Sequence, residues 1–117
     1  MSKKHFTYLN DILNALISIE SFIGGMNFKD FKQDDKTKSA VIRKFEIIGE
    51  ATKNISNSIR THYSQIPWKQ MAGMRDRLIH GYSEVDLNLV WETIQNRLPK
   101  LKSDIQSILK DEEEENS

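Results

Sequence analysis

Apolar residues recur along this chain at the spacing of helical turns almost from end to end. Phe6, Leu9, Leu13, Leu16, Phe22 and Ile23 step mostly by three and four until Gly24-Gly25 stops the segment. The pattern predicts a first helix over roughly residues 4–23. Phe28 and Phe31 follow in a short connecting segment, from which either can close the core out of a loop or a single helical turn.

The second helix has the clearest seam. Val41, Phe45, Ile48, Thr52, Ile55 and Ile59 step by four, three, four, three and four, as in a coiled coil. Asp34 or Asp35 suits its N-terminal cap, because a short carboxylate accepts the orphan backbone N–H bonds of a first turn. Gly49 interrupts good helix formers at a cost of about 1 kcal/mol relative to alanine. Either another backbone approaches closely there, or the glycine is merely tolerated. Ile42 and Ile47 lie off the seam, which hints at a dimer face on this helix.

Pro67 fits the first position of a third long helix, where its missing N–H costs nothing. The apolar stripe Trp68, Met71, Met74 and Leu78 runs from it to Gly81. Asp86 suits the cap of a last helix bearing Leu87, Val90, Trp91, Ile94, Leu98, Leu101, Ile105 and Ile108. Pro99 should kink or split that helix, since it removes a hydrogen bond and clashes with the preceding turn. The expected fold is all-α: an up-and-down bundle of four long helices plus one or two short ones, joined by short loops.

Composition sharpens this picture in three places. Residues 1–110 carry 17 Lys and Arg against 12 Asp and Glu, a net +5, while Asp111-Glu112-Glu113-Glu114-Glu115 carries −5. We therefore divide the chain into one domain over 1–110 and an acidic, solvated and disordered tail over 111–117. There is no cysteine, so disulfides, thiolate zinc sites and cysteine nucleophiles are excluded. No apolar run approaches the ~20 residues that span a bilayer, and a cytoplasmic protein is expected.

One segment concentrates chemistry: Met71-Ala72-Gly73-Met74-Arg75-Asp76-Arg77-Leu78-Ile79-His80-Gly81-Tyr82. On an ideal helix Met71, Met74 and Leu78 share the buried side, and Asp76 and His80 fall together opposite, with Arg77 beside them. Arg75 lies about 140° from His80. The two therefore meet only if the helix ends before His80 or if a subunit interface brings them together. Arg and His together suit phosphodiester chemistry. The guanidinium offers a charged planar fork to phosphate oxygens. The imidazole exchanges a proton near neutral pH. RNA brings its own 2′-hydroxyl nucleophile, so no metal or other cofactor is needed, and Asp76 is placed to hold the imidazole in one tautomer. The same spacings also occur as ordinary surface chemistry: a His at a helix C-terminus is favoured by the dipole, and Arg75 beside a carboxylate can be a structural ion pair.

Other candidates are weaker. His5 and His62 lack partners at metal-ligand spacing. Glu46 and Glu50 share a helix face, but Arg43 and Lys53 are near enough to make them solvated ion pairs. Trp68 and Trp91 read as core or interface. No phosphate-cradling glycine loop or zinc pattern is present.

At Arg75-Asp76-Arg77-Leu78-Ile79-His80-Gly81-Tyr82 the sequence resembles the HEPN superfamily, whose motif is Arg, four to six residues, then His. The tighter form, Arg-x4-His-x-Tyr, is similar to the HepT-type toxins that pair with minimal nucleotidyltransferase antitoxins. Ile47-Ile48-Gly49-Glu50-Ala51, Ile66-Pro67-Trp68 and Val85-Asp86 through Trp91-Glu92-Thr93-Ile94 resemble further parts of that family. The resemblance implies a homodimeric all-α bundle with metal-independent endoribonuclease activity on RNA, tRNA being a candidate target and DNA not expected. It implies that Arg75 stabilises phosphate charge, that His80 is the acid/base and that Asp76 supports them. It further implies that Tyr82 is adenylylated by the antitoxin of a type VII-like toxin–antitoxin pair. The alternative is a non-catalytic helical module whose basic cleft binds a nucleotide or a nucleotidyltransferase partner.

Overall fold

The computed structural model describes residues 2–78 and 85–115. Among them are eight helices: α1 (Lys3–Ile23), α2 (Phe28–Gln33), α3 (Asp35–Lys53), α4 (Asn57–His62), α5 (Trp68–Ala72), α6 (Met74–Leu78), α7 (Leu87–Asn96) and α8 (Leu98–Glu115). The core forms where α1 packs on α3 and α8, while α3 also carries α2, α5 and α6. Leu9, Ile12, Leu16 and Ile19 of α1 meet Val41, Phe45 and Ile48 of α3 and Leu101, Ile105 and Ile108 of α8. Among the described residues no helix is long and apolar enough to cross a membrane.

The predicted starts and stops fall where side-chain chemistry puts them. Ser2 caps α1 by accepting from the His5 N–H, and Asp34 caps α3 by accepting from the Thr37 N–H at 2.9 Å. That bond, with the Thr37 hydroxyl behind it, holds the half-buried Asp34 carboxyl below its ordinary value. Asp86 caps α7 through the Leu89 N–H. The segment with Phe28 and Phe31 is the short helix α2, opened by a reciprocal Asn27–Asp30 capping box. Its Phe31 is buried and stacks obliquely on Trp91, with ring centroids 5.3 Å apart. Pro99 splits the last helix: α7 ends at Asn96, Arg97 is its C-cap, and α8 begins at Leu98.

Expectations about the helices need four corrections. The seam from Val41 to Ile59 is not one helix, because α3 ends at Lys53 and Ile59 belongs to α4. Asn54 closes α3, and the Arg60 guanidinium reaches back to the carbonyls of Thr52 at 2.7 Å and Ile55 at 3.2 Å. A cation on the exposed C-terminal carbonyls offsets the lost helical bonds. The third long helix is two short ones, α5 and α6, joined through Gly73. Pro67 is the N-cap of α5 and not its first residue. Three long helices are therefore accompanied by the ten-residue α7 and four short helices, where four long and one or two short were expected.

Two further findings concern surfaces. Ile42 and Ile47 are half-buried beside the core, and among the described residues the exposed large apolar side chains are Ile17 and Phe22 of α1. The acidic stretch is not a disordered tail from Asp111 onward. α8 continues to Glu115, and buried Glu112 accepts a 2.7 Å hydrogen bond from the Tyr63 hydroxyl. One turn of the acidic run is thus drawn inward by a polar partner that sequence separation concealed.

Candidate functional site

The site starts at Gly49. A Cβ built there would sit 3.2 Å from the backbone oxygen of Ala72 and 3.8 Å from that of Met71. The end of α5 therefore lies directly on α3, and the close-approach reading of Gly49 is the correct one. The same crossing buries Trp68 and Met71, and the Trp68 indole donates to the Tyr63 carbonyl at 3.1 Å. The chain then passes through Gly73 into α6, whose Met74 and Leu78 continue the buried stripe. With those two residues turned inward, Arg75 and Asp76 are left on the side facing the exposed edge of α3.

Arg75 lines a cleft of about 150 Å³ together with Asp76, Ala72 and the α3 residues Glu46, Gly49, Glu50 and Lys53. Its side chain is 43% exposed, and its Nη1 lies 3.6 Å from Asp76 Oδ1. An exposed pair of that length adds little stability and engages only part of the guanidinium's donor fork. Glu46 also pairs with Arg43 at 3.5 Å, as the solvated-pair reading of that face anticipated. Sequence spacing treated Glu46 and Glu50 apart from Arg75, whereas the α3–α5 crossing puts all three in one cleft. The cleft is not basic, since three acids face two cations there.

His80 and Tyr82 lie outside the described residues. What is described is the frame around them: the Leu78 carbonyl accepts from the Asp86 N–H at 3.0 Å, tying the end of α6 to the cap of α7. The Arg75–His80 approach and the Asp76–His80 pairing therefore stay expectations, and the described partner of Asp76 is Arg75. Arg77 points elsewhere, into a separate cavity formed with α7 and α8.

The secondary candidates have structural occupations. His5 Nδ1 is 2.7 Å from the Ser2 hydroxyl at the α1 cap, and His62 packs edge-on against Tyr63. Trp91 is half-buried beside Phe28 and Phe31. Among the described residues no group of three His, Asp or Glu side chains could hold a metal ion.

Comparisons with known proteins identify the fold and the family. The family model "Ribonuclease HepT-like" matches residues 12–108. A Thermococcus cleftensis protein named "Probable ribonuclease HepT" is 46% identical over 110 residues, covering 94% of this chain and 100% of that one. A Methanocaldococcus jannaschii relative is 42% identical over 112 residues, covering 94% of this chain and 93% of its own. Among solved structures, the tri-AMPylated Shewanella oneidensis HEPN toxin in complex with MNT antitoxin superposes with a TM-score of 0.64 at 21% identity, over 92% of this chain and 98% of that one. That likeness establishes the all-α HEPN fold. With most of its length matched by the family model and its relatives aligned end to end, the chain belongs to the ribonuclease HepT-like family.

Proposed function

We propose that the chain is the toxin of a toxin–antitoxin pair: a dimeric, metal-independent endoribonuclease that closes Arg75 and His80 of paired protomers on one phosphodiester of an RNA, such as a tRNA, in the cytoplasm. Family membership carries this reading. The half-exposed Arg75 at the start of α6 supports it, because a guanidinium held on a rigid crossing is preorganised for phosphate.

In this mechanism the 2′-oxygen attacks the adjacent phosphorus while His80 takes the hydroxyl proton. Arg75 binds the phosphoryl oxygens as negative charge builds on them. The bond to the 5′-oxygen breaks and that oxygen takes a proton from solvent, to which His80 returns its own, leaving a 2′,3′-cyclic phosphate and a 5′-hydroxyl. Asp76 supports the pair by orienting its charged neighbours. Regulation falls on Tyr82, whose phenolic oxygen displaces pyrophosphate from ATP and receives AMP from a nucleotidyltransferase antitoxin. The solved HEPN toxin, AMPylated and bound to an MNT antitoxin, supports that partner class.

Incubation of wild type and His80→Ala with total RNA in chelator, followed by end mapping, tests the core of this reading. Wild type is expected to cut and leave cyclic-phosphate ends, and the variant to fold yet cut at least about 100-fold more slowly, as loss of an acid/base group does. Unchanged cleavage by the variant would remove His80 from the mechanism. Intact mass after co-expression with the antitoxin should rise by AMP units in wild type and not in Tyr82→Phe.

A further inference from the structure

The adjacent arginines of the motif serve different cavities. Arg75 borders the cleft on α3, while Arg77 enters a larger one, of about 320 Å³, between α5–α6 and α7–α8. That volume lies at the lower end of the ~300–1,000 Å³ typical of small-molecule sites. We propose that this second cavity is a nucleotide-binding site, separate from the cleft of Arg75.

Its chemistry is divided as a nucleotide would require. The floor is apolar and tightly packed: Met71, Met74, Leu78 and Leu101 all line it, and each is at most 7% exposed. Thioether and aliphatic surfaces of this kind seat the flat face of a base. Gln70 and Asn96 stand on the wall and carry both donor and acceptor atoms suited to a base edge.

Positive charge collects at the rim in Arg77, Arg97 and Lys100, against the single carboxylate of Asp104. Lys100 Nζ is 3.4 Å from Asp104 Oδ2, so that acid already has a partner. Arg77 and Arg97 make no ion pair with any of the described residues, so two guanidinium forks line one opening. A phosphate matches them bidentately. Pro99 lies at the break between α7 and α8, where Arg97 is the C-cap of α7 and Lys100 and Leu101 stand in the first turn of α8, and all three line this cavity. The ligand is a nucleotide, present either as a free monophosphate or as one unit of an RNA chain.

Calorimetric titration of the full chain distinguishes the sources. The probes are AMP, adenosine, inorganic phosphate and a 2′-O-methyl oligoribonucleotide, which cannot be cut by 2′-oxygen attack. AMP or the oligonucleotide is expected to bind at least about tenfold more tightly than phosphate or adenosine, because base and phosphate are held together. Arg97→Gln and Lys100→Gln, both at exposed positions, should each weaken that binding several-fold, whereas Lys29→Gln, an exposed cation on α2 outside this cavity, should not. Tight AMP binding that both rim variants weaken identifies a free nucleotide as ligand, and binding of the oligonucleotide alone, weakened in the same way, identifies an RNA unit. No binding of either, AMP no better than phosphate, or affinity unchanged in both rim variants would overturn the proposal. The readout is binding, so the result is independent of whether Arg75 and His80 cleave RNA.

Discussion

Arg75 has a half-exposed head group on the fixed backbone of α6, as a phosphate-binding group would need. In the proposed mechanism its planarity is the property in use. Arg75→Lys keeps the charge but not the fork, so it should recover little of the cleavage lost in Arg75→Ala, staying at least about tenfold below wild type in initial rate. Equal rates for the lysine variant and wild type would show that a point charge suffices. At Asp34 a different chemistry operates. Its carboxyl is held low chiefly by the Thr37 backbone N–H, so the charged form is favoured in the folded state. The contribution is complete above the ordinary carboxylate range and disappears as pH falls through the lowered value. Melting temperatures of wild type and Asp34→Ala should therefore converge on acidification. Asp34→Asn, which caps without titrating, should lack that pH dependence. Both of these residues were legible beforehand: a cap is a local pattern, and the Arg-x4-His-x-Tyr spacing is specific. The acids around Arg75 were not, because they come from a helix some 25 positions earlier in the chain.

Among the elements, the α3–α5 crossing matters most to the site. Gly49 permits it, and a β-branched side chain there would press on the Ala72 carbonyl, backbone that cannot swing aside. Gly49→Val should destabilise by about 1–3 kcal/mol in denaturant unfolding, and should lower cleavage even where the protein remains folded. Full stability in that variant would mean that α5 shifts without cost. The periodicity of α1, α3 and α8 was strong enough to read directly. The breaks at Asn54 and Gly73 were not, since apolar spacing continues across both and only the backbone bonds there show where the helix stops. The Arg60 guanidinium satisfies the Thr52 carbonyl near the end of α3 from the next helix, and such a reach is invisible to a local pattern.

The whole molecule is elongated, measuring 46 × 28 × 21 Å with a radius of gyration of 14.7 Å, above the ~13 Å of a compact chain this long. An elongated bundle offers a long flank to a second copy. If paired protomers build one reaction cleft, mixing the inactive Arg75→Ala and His80→Ala proteins should restore part of the cleavage, because a mixed dimer keeps one guanidinium and one imidazole. Mixed dimers that form and stay inactive would place both groups in the same protomer.

The amino-acid sequence by itself determined the helical class, the caps at Asp34 and Asp86, the split at Pro99 and the residues of the motif. Each depends on neighbours within a turn or two, where backbone geometry and side-chain type suffice. The tertiary structure alone decided that Gly49 is a crossing point, that Glu46 and Glu50 share a cleft with Arg75, that Arg77 faces another cavity, and that Glu112 is drawn in by Tyr63. Those depend on which helices pack together, and packing is chosen by the burial of whole faces rather than by any local spacing.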